Sequence, residues 1–263
     1  MIKNILHMGY FIKSADYDRV RRSMLYVKEK YNIGSFNQFK RLINLAWEYG
    51  ASFEDFYDFK LFEGKIEEKQ WATTTDAHYF HKKMNAKNKI YIFRNKYEFL
   101  KKFSKFAGRS FFHLNFCGGG ELEPWMKTQS RFVAKPVYGV IGRGIELIRC
   151  DQFSSIESII QHLKKRGLLL IEEEILQHNS LYKLNPASIN TIRVVTALQK
   201  DNVKIIGSVL RMSRGSFVDN FSAGGIAAPI DHKTGDIIGP AVSKMPDEKK
   251  YKRHPITKEK ILG

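Results

Sequence analysis

The chain has 263 residues, 43% of them hydrophobic, which is enough to bury a substantial core as one large domain or two modest ones. Its net charge is +17: residues 1–128 carry 23 Lys+Arg against 14 Asp+Glu, and residues 129–263 carry 21 against 13. The even spread excludes a basic tail of the kind that binds nucleic acid and favours a solvated basic surface, while a polyanionic or membrane-surface partner also fits.

Membrane and secretory signals are missing from the sequence. No apolar run approaches the ~20 residues of a membrane-spanning helix, and charges interrupt the amino-terminal segment MIKNILHMGYFIKSADYDR too early for a secretory signal. The two cysteines, Cys117 and Cys150, fit a reducing compartment, and neither has a partner at metal-ligand spacing. We expect a soluble cytoplasmic protein.

The first part of the chain has helical periodicity. Apolar residues recur at helical spacing between residues 16 and 62, with Ser35 as an N-cap and Ser52 with Asp55 marking a further helix start. The aromatic residues of this region could stack on bases, but aromatic residues on helical faces more often form a core.

A second helical stretch is predicted to begin at Thr75 and carries His78 and His81. Histidines at this spacing can chelate a metal on one helix face, but no third ligand accompanies them, so surface histidines are the favoured interpretation. The pattern then predicts a strand (KIYIF), a helix ended by Gly108 (NKYEFLKKFSKFAGR), a strand (SFFHLNF), and a linker or mobile loop (CGGGELEPW).

The most informative stretch is RFVAKPVYGVIGRGIELIRC, residues 131–150, which predicts a strand, a glycine-rich loop and a second strand. Glycines permit positive φ, and successive N–H groups in such a loop form an anion-binding concavity. A P-loop would need Gly-Lys-Ser/Thr before a helix, whereas here Lys135 precedes the glycines. We expect a flap over a nucleotide, with a glycine-rich hairpin that binds no ligand as the alternative. The loop glycines are Gly139, Gly142 and Gly144.

A capped helix and an acidic strand follow. SSIESIIQHLKKRG predicts a helix with a capping box of Ser154 and Glu157 and an end at Gly167. It leads to LLLIEEEIL, a buried strand that ends in the adjacent carboxylates Glu172 to Glu174. Buried carboxylates need partners, and in a nucleotide site one of them could accept from an adenine amino group. The alternative is a strand end that frays into solvent.

After a loop, QHNSLYKLNPASIN, the strands TIRVVTALQ and VKIIGSVLRMS form a predicted hairpin with its turn at Asp201-Asn202. Arg193 lies on the first strand and Arg211 on the second, and a glycine pair follows beside Asp219 and Asn220. Seven or more strands with few helices between them predict an α+β class with antiparallel or mixed sheets.

These motifs together resemble the ATP-grasp superfamily: Lys96 before a helix, Lys-Pro before the glycine loop, the acidic strand end, N-T-I-R, and D-N-F-S-A-G-G. More narrowly they are similar to sugar-transfer associated ATP-grasp proteins of polysaccharide and capsule biosynthesis, over roughly residues 90 to 260. The resemblance implies an ATP-grasp domain over residues 90–263, with two α+β subdomains that grip ATP, after a helical region over residues 1–89.

The resemblance also implies a reaction with the cofactors ATP and Mg²⁺, in which a carboxylate is activated as an acyl phosphate and then attacked by an amine. It assigns the phosphates to Lys96 and Lys135 beneath the glycine loop. It places the two arginines over the γ-phosphate and the tetrahedral intermediate. The remaining positions are an adenine hinge (Glu172, Glu173, Glu174 and Ile175), a residue near the ribose (Gln177), and polar groups that orient phosphate or acceptor (Asn190, Asp219 and Asn220).

One departure from the family concerns magnesium. The family's metal ligands come from an acidic residue and a Glu-x-Asn segment near the carboxyl end, and the sequence reaches KEKILG before such a pair. We therefore expect either a fragment or shortened reading frame or impaired metal binding, with the metal ligands unidentified and turnover slow or absent. The leading function is an ATP-dependent carboxylate–amine ligase of surface polysaccharide or cell-envelope biosynthesis. A non-catalytic ATP-binding or scaffold remnant is the alternative, and the even charge argues against a nucleic-acid binder.

Overall fold

The computed structural model describes residues 2–64, 71–117, 119–139, 142, 144–217, 219–245 and 250–262. The chain forms two compact units. The first contains Met1–Ala86 and Val242–Lys250, and the second contains Lys87–Ala241 and Tyr251–Gly263. An antiparallel bridge between Ala241 and Tyr251 joins the two points at which the chain leaves and re-enters the second unit.

The first unit is helical and packs around Val27, Leu42 and Phe56, each at most 2% exposed. The chain segment 242–250 joins this unit, where Lys244 accepts a hydrogen bond from the buried Arg19 through its carbonyl. Its α-helices are α1 (Ile2–Ser14), α2 (Tyr17–Tyr31), α3 (Ser35–Tyr49), α4 (Phe53–Asp58) and α5 (Thr74–Met84).

The helix caps partly match the predicted ones. Ser52 and Asp55 form the expected capping box of α4. The predicted caps at Ser35 and Thr75 are wrong, because Gly34 precedes α3 and Thr73 caps α5. Thr73 has an acidic residue three positions later, as a capping box requires, whereas the Thr75 side chain is buried.

The second unit contains two antiparallel sheets with surrounding helices, which confirms the α+β class. The order in the first sheet is β1-β4-β2-β3, and β5, β6 and β7 are neighbours in the second. The strands are β1 (Phe111–His113), β2 (Arg131–Lys135), β3 (Glu146–Arg149), β4 (Leu170–Glu173), β5 (Thr191–Gln199), β6 (Asn202–Met212), β7 (Ile226–Ile230) and, within the 242–250 segment, β8 (Val242–Ser243). The helices are α6 (Ile90–Arg94), α7 (Lys96–Lys102), α8 (Ser104–Ala107), α9 (Gly119–Thr128), α10 (Ile156–Arg166) and α11 (Asn179–Leu184).

The first sheet has two different faces because side chains alternate along its strands. Phe132 and Ala134 of β2 and Ile171 of β4 are fully buried on one face, in a core that includes Met126 of α9 and Leu163 of α10. The opposite face carries Leu170, which packs with Leu100 of α7 and Val137. The register places Lys135 opposite Leu170, and Glu172 follows two residues later, so both charged side chains belong to this second face.

Two predicted elements are wrong. KIYIF forms α6 rather than a strand, since Phe93 packs its ring against Phe99 and Phe103 of the next helical segments, and this packing overrides β propensity. CGGGELEPW is largely α9 rather than a linker. Leu122 and Met126 of α9 are buried in the main core, and this burial offsets the proline inside the helix.

Smaller differences concern helix and turn boundaries. The capping box of α10 is formed by Ser155 and Ser158, one residue after the predicted pair. The loop before β5 contains α11. The β5–β6 turn consists of Lys200 and Asp201, since Asn202 already pairs with Gln199. Among the described helices, none combines the length and the apolar character that a membrane crossing requires.

Candidate functional site

A cleft of about 310 Å³ lies against the polar face of the first sheet, in the size range of small-molecule sites. Helices α6 and α7 form one wall, and β2 and β4 form its floor. The described lining residues are apolar on one side and charged on the other: Phe93, Phe99 and Leu100, then Lys96, Arg109, Lys135 and Glu172.

Lys96 is fixed in the cleft by the start of α7. The Asn95 side chain caps this helix by accepting from two backbone N–H groups. The Lys96 N–H donates to the Val137 carbonyl at 3.0 Å, and its Nζ donates to the Pro136 carbonyl at 3.0 Å. Burial and the nearby positive charge of Lys135 lower the pKa of Lys96 from its usual value. An anionic ligand would relieve both effects, because it would favour the charged amine.

Glu172 is the acidic residue of the described lining and is 3% exposed. Its Oε2 accepts from Nε of Arg109 at 2.7 Å, and its Oε1 pairs with Nζ of Lys135. Two cations therefore face one buried carboxylate, which leaves an excess positive charge, and Lys96 adds to it. Such an excess in a partly dehydrated cleft attracts a polyanion more strongly than exposed lysines do.

The glycine loop connects β2 to β3 as a hairpin, as predicted. Gly139, Gly142 and Gly144 all adopt positive φ, at 127°, 71° and 74°. A Cβ on Gly139 would lie 3.8 Å from Nζ of Lys96, so the loop backbone passes close to the amine. The intervening positions 140, 141 and 143 lie outside the described residues.

The acidic strand end has partners and does not fray. Glu173 is tied to Ser110 twice, since its carboxylate accepts from the Ser110 N–H at 3.0 Å and its own N–H donates to the Ser110 carbonyl at 2.9 Å. Glu174 pairs with Arg131, and Ile175 is 43% exposed. The three glutamates thus have three different environments, and Glu172 alone lines the cleft.

Gln177 and Asn190 belong to a polar network beneath the second sheet. The Gln177 amide donates to the carbonyls of Asn185 and Ser188, both at 3.1 Å, and accepts two bonds from Asn190. Asn190 also donates to the Leu181 carbonyl at 2.8 Å. Each polar position of the Gln177 amide is occupied, so a ribose contact would require one of these bonds to break.

The two arginines lie on the second sheet in different environments. Arg211 donates to Asp219 at 3.1 Å, and Asp219 also accepts from the Thr191 hydroxyl. Thr191 is directly opposite Arg211 in the β5–β6 ladder, so the two side chains share a face. Arg193, two residues along β5, shares that face and is exposed.

The D-N-F-S-A-G-G motif forms a tight turn. The Asn220 side chain accepts from the Ser222 N–H at 3.0 Å and caps the turn, and Gly224 has φ 93°. A Cβ at Gly225 would lie 2.9 Å from the carbonyl oxygens of Asn220 and Met212, which explains the second glycine. The motif holds Asp219 beside Arg211, but the described lining of the cleft contains neither residue.

The structure therefore brings together Lys96, Lys135 and Glu172, with Gly139 of the loop close to Lys96, and it adds Arg109, which the sequence motifs did not identify. The described residues contain no group of three or more His, Cys, Asp or Glu side chains suited to a metal ion. His78 lies with its ring 5.0 Å from that of His7 in the first unit.

Comparison with known proteins identifies a family. A family model described as sugar-transfer associated ATP-grasp matches residues 76–263. Neither a curated protein nor a solved structure matches the chain. The family match covers well over half of the sequence and includes the cleft, the glycine loop and both sheets. The family implies ATP binding and an ATP-dependent, ligase-like function. The chain belongs to the sugar-transfer associated ATP-grasp family.

Proposed function

We propose that the protein is an ATP-dependent carboxylate–amine ligase that acts through an acyl phosphate, on an anionic sugar-linked, peptide or small-acid substrate, in surface polysaccharide or cell-envelope biosynthesis. The observation that supports this proposal most strongly is the convergence of Lys96, Lys135 and Arg109 in one cleft beside the glycine loop. Three cations and a glycine-rich backbone are the groups that bind a triphosphate.

In this proposal the phosphates lie between the lysines and the glycine loop. Lys96 gains an anionic partner, and Arg109, whose Nε and Nη2 both contact Oε2 of Glu172, presents a guanidinium that can also donate to phosphate. Glu172 holds the cations in place rather than reading adenine, since its carboxylate is buried and engaged. Base contacts then come from the chain that follows β4, at Glu174 and Ile175.

The chemistry needs no nucleophilic side chain. A substrate carboxylate oxygen attacks the γ-phosphorus and ADP leaves; the amine nitrogen then attacks the acyl carbon, loses a proton and expels phosphate. Negative charge develops on oxygen in both steps, and positioned donors stabilise it by ~3 kcal/mol or more each. Arg193 and Arg211 are proposed for this task, with Asp219 orienting Arg211 and with Asn190 and Asn220 supporting the adjoining backbone.

Magnesium is expected from the family, and the described residues do not fit it. Glu172 is the acidic residue of the described lining, and two cations already neutralise it. This observation favours a second candidate function, a non-catalytic ATP-binding protein that uses the same cleft.

Release of ADP distinguishes the two functions. The purified protein is incubated with ATP, magnesium, a set of sugar acids and small carboxylates, and an amine, and ADP is measured by a coupled assay. A ligase releases ADP only when carboxylate and amine are both present, and Arg211→Met loses at least tenfold in rate while ATP still binds. ATP binding without substrate-dependent ADP release contradicts the ligase and supports the non-catalytic function.

A further inference from the structure

The segment that carries α6, α7 and α8 has an unusual surface. Over residues 87–106 the sequence has seven Lys or Arg and one acidic residue, Glu98. Large aromatic side chains are exposed between them, at 59%, 68%, 39% and 74% for Tyr91, Phe93, Phe99 and Phe106. The exposed cations are Lys87, Lys89, Arg94, Lys101, Lys102 and Lys105. These ten residues are called the basic-aromatic surface below.

Two aromatic residues of this surface, Phe93 and Phe99, form a cluster with the half-buried Phe103. The ring centroids of Phe93 and Phe99 are 5.9 Å apart, those of Phe99 and Phe103 are 4.8 Å apart, and Phe93 lies 6.4 Å from Phe103. Phe106 follows Phe103 and has Nζ of Lys105 5.1 Å from its ring centroid. Exposed aromatic residues packed together and surrounded by lysines are costly in water and mark an interaction site.

We propose that the basic-aromatic surface docks on an anionic lipid bilayer. Phenyl rings enter the boundary between headgroups and acyl chains, while lysines reach the lipid phosphates with their ammonium groups and keep their aliphatic stems against apolar surface. Each basic residue near such a bilayer contributes about fivefold in affinity, so six exposed cations supply strong electrostatic attraction.

The arrangement of the rings favours a bilayer over a nucleic acid. Single-stranded nucleic acid binds to ring faces presented one after another along a groove. Here Phe93, Phe99 and Phe103 are tilted against one another at 40° to 51° and form one apolar cluster. Phe93 and Phe99 also line the cleft, so docking would bring the cleft to the bilayer surface, where a lipid-anchored substrate is found.

Vesicle co-sedimentation tests the proposal with the whole chain. Vesicles of mixed phosphatidylglycerol and phosphatidylcholine are compared with pure phosphatidylcholine at about 0.1 M salt, where exposed charges act over ~10 Å. The protein is expected to bind the anionic vesicles and not the neutral ones. The variant Lys102→Glu/Lys105→Glu is expected to bind anionic vesicles at least tenfold more weakly. The variant Lys102→Gln/Lys105→Gln is expected to lose about half as much affinity on a logarithmic scale.

Control variants carry the same kinds of substitution outside the basic-aromatic surface. They distinguish docking through this surface from an effect of the protein's net charge. Lys164→Glu/Lys165→Glu reverses two exposed lysines on α10 and should retain most of the affinity. Phe106→Ser should weaken binding, whereas Tyr182→Ser, at a residue of α11 that is 56% exposed, should not. Phe106→Trp should show a blue-shifted emission with anionic vesicles. None of these residues lies in the cleft, so ATP binding serves as an independent check of each variant.

Three outcomes overturn the proposal. The first is no binding to anionic vesicles. The second is an equal loss of vesicle affinity in the α10 control, which would show that binding depends only on the net charge of the protein. The third is tighter binding to a single-stranded oligonucleotide than to anionic vesicles at the same salt concentration, which would assign the surface to nucleic acid. Failure of this test leaves the proposed ligase activity untouched, because ADP release is measured without a membrane.

Discussion

At the level of single residues, the structure of the cleft depends on Glu172. A carboxylate at 3% exposure is strongly unfavourable unless it is paired, and Arg109 and Lys135 pair it on both oxygens. A lysine on a strand with apolar neighbours is ordinarily expected to be removable without effect on the fold. The ion pair changes that expectation, because removal leaves a buried carboxylate with one cation.

Lys135→Met is therefore expected to destabilise the protein by ~1–3 kcal/mol, the cost of an unsatisfied buried polar group. The double variant Lys135→Met/Glu172→Gln also removes the carboxylate charge that had lost its partner. It should recover most of the lost free energy of unfolding. Urea denaturation measures both free energies of unfolding. If the single and double variants unfold at the same urea concentration as the wild type, Lys135 and Glu172 do not form a buried pair in solution.

Lys96 gives the cleft a dependence on pH. Its pKa is lowered by burial and by Lys135, so its charge is lost at a lower pH than that of an exposed lysine. The charged amine binds phosphate, so ATP affinity should be full below this lowered pKa and fall as the pH rises through it. Bound ATP raises the pKa again, and binding at alkaline pH should take up a proton.

Calorimetry at a series of pH values tests this dependence. Lys96→Met should bind ATP more weakly and lose part of the alkaline decline, whereas Lys164→Met on α10 should follow the wild-type curve. If ATP affinity falls equally steeply with rising pH in Lys96→Met and in the wild type, the decline arises from the titration of another group.

Among the elements, the glycine loop depends most on backbone conformation. Gly144 has φ 74°, and a Cβ there would lie 3.0 Å from Cγ of Pro136. Gly144→Ala should cost ~1 kcal/mol or more in the native loop conformation, which lowers the population that can close over phosphate. We expect ATP affinity to fall about fivefold by calorimetry.

Gly120 provides the matched control, since a Cβ added there would have no atom within 4 Å and its φ is not positive. Gly120→Ala should leave ATP affinity unchanged. If Gly144→Ala binds ATP as tightly as Gly120→Ala, the loop conformation with Gly144 at positive φ is not the one that binds nucleotide.

The helices and strands differ in how far they could be predicted from the sequence. The β2–β3 hairpin and the capping box at Ser52 were predictable, because each depends on residues within one short segment. The α9 helix was not, since burial of Leu122 and Met126 in a core formed by distant segments overrides its turn signals. The α6 helix was not either, since the ring contacts of Phe93 are made with Phe99 and Phe103 of the next helical segments.

The same distinction applies to the site. Lys135 was predicted from its position before the glycines and Lys96 from the family resemblance, and the structure places both in the cleft. Arg109 has no motif, because its role depends on the pairing of β1 with β4, which joins positions about sixty residues apart. Such a residue can be identified only when the strand that pairs with its own strand is known. The saturated amide of Gln177 was likewise invisible, because its hydrogen-bond partners come from the folded loop after α11.

At the scale of the whole molecule, the candidate site lies within the second unit. Every described lining residue of the cleft belongs to the segment 87–241, and the family match includes all of that segment. The first unit contributes a helical core and receives the segment 242–250. Nucleotide binding is therefore expected to be a property of the second unit's first sheet and of the helices that cover its polar face.

The most direct test of this account is a calorimetric titration of ATP into the wild type and into Lys135→Met/Glu172→Gln, the variant expected to keep its stability. The account predicts that the wild type binds ATP and that the double variant binds it at least tenfold more weakly, since a charge-assisted phosphate contact contributes ~1.5–3 kcal/mol. Equal affinity of the two proteins for ATP would contradict it, because Lys135 would then make no contact with phosphate.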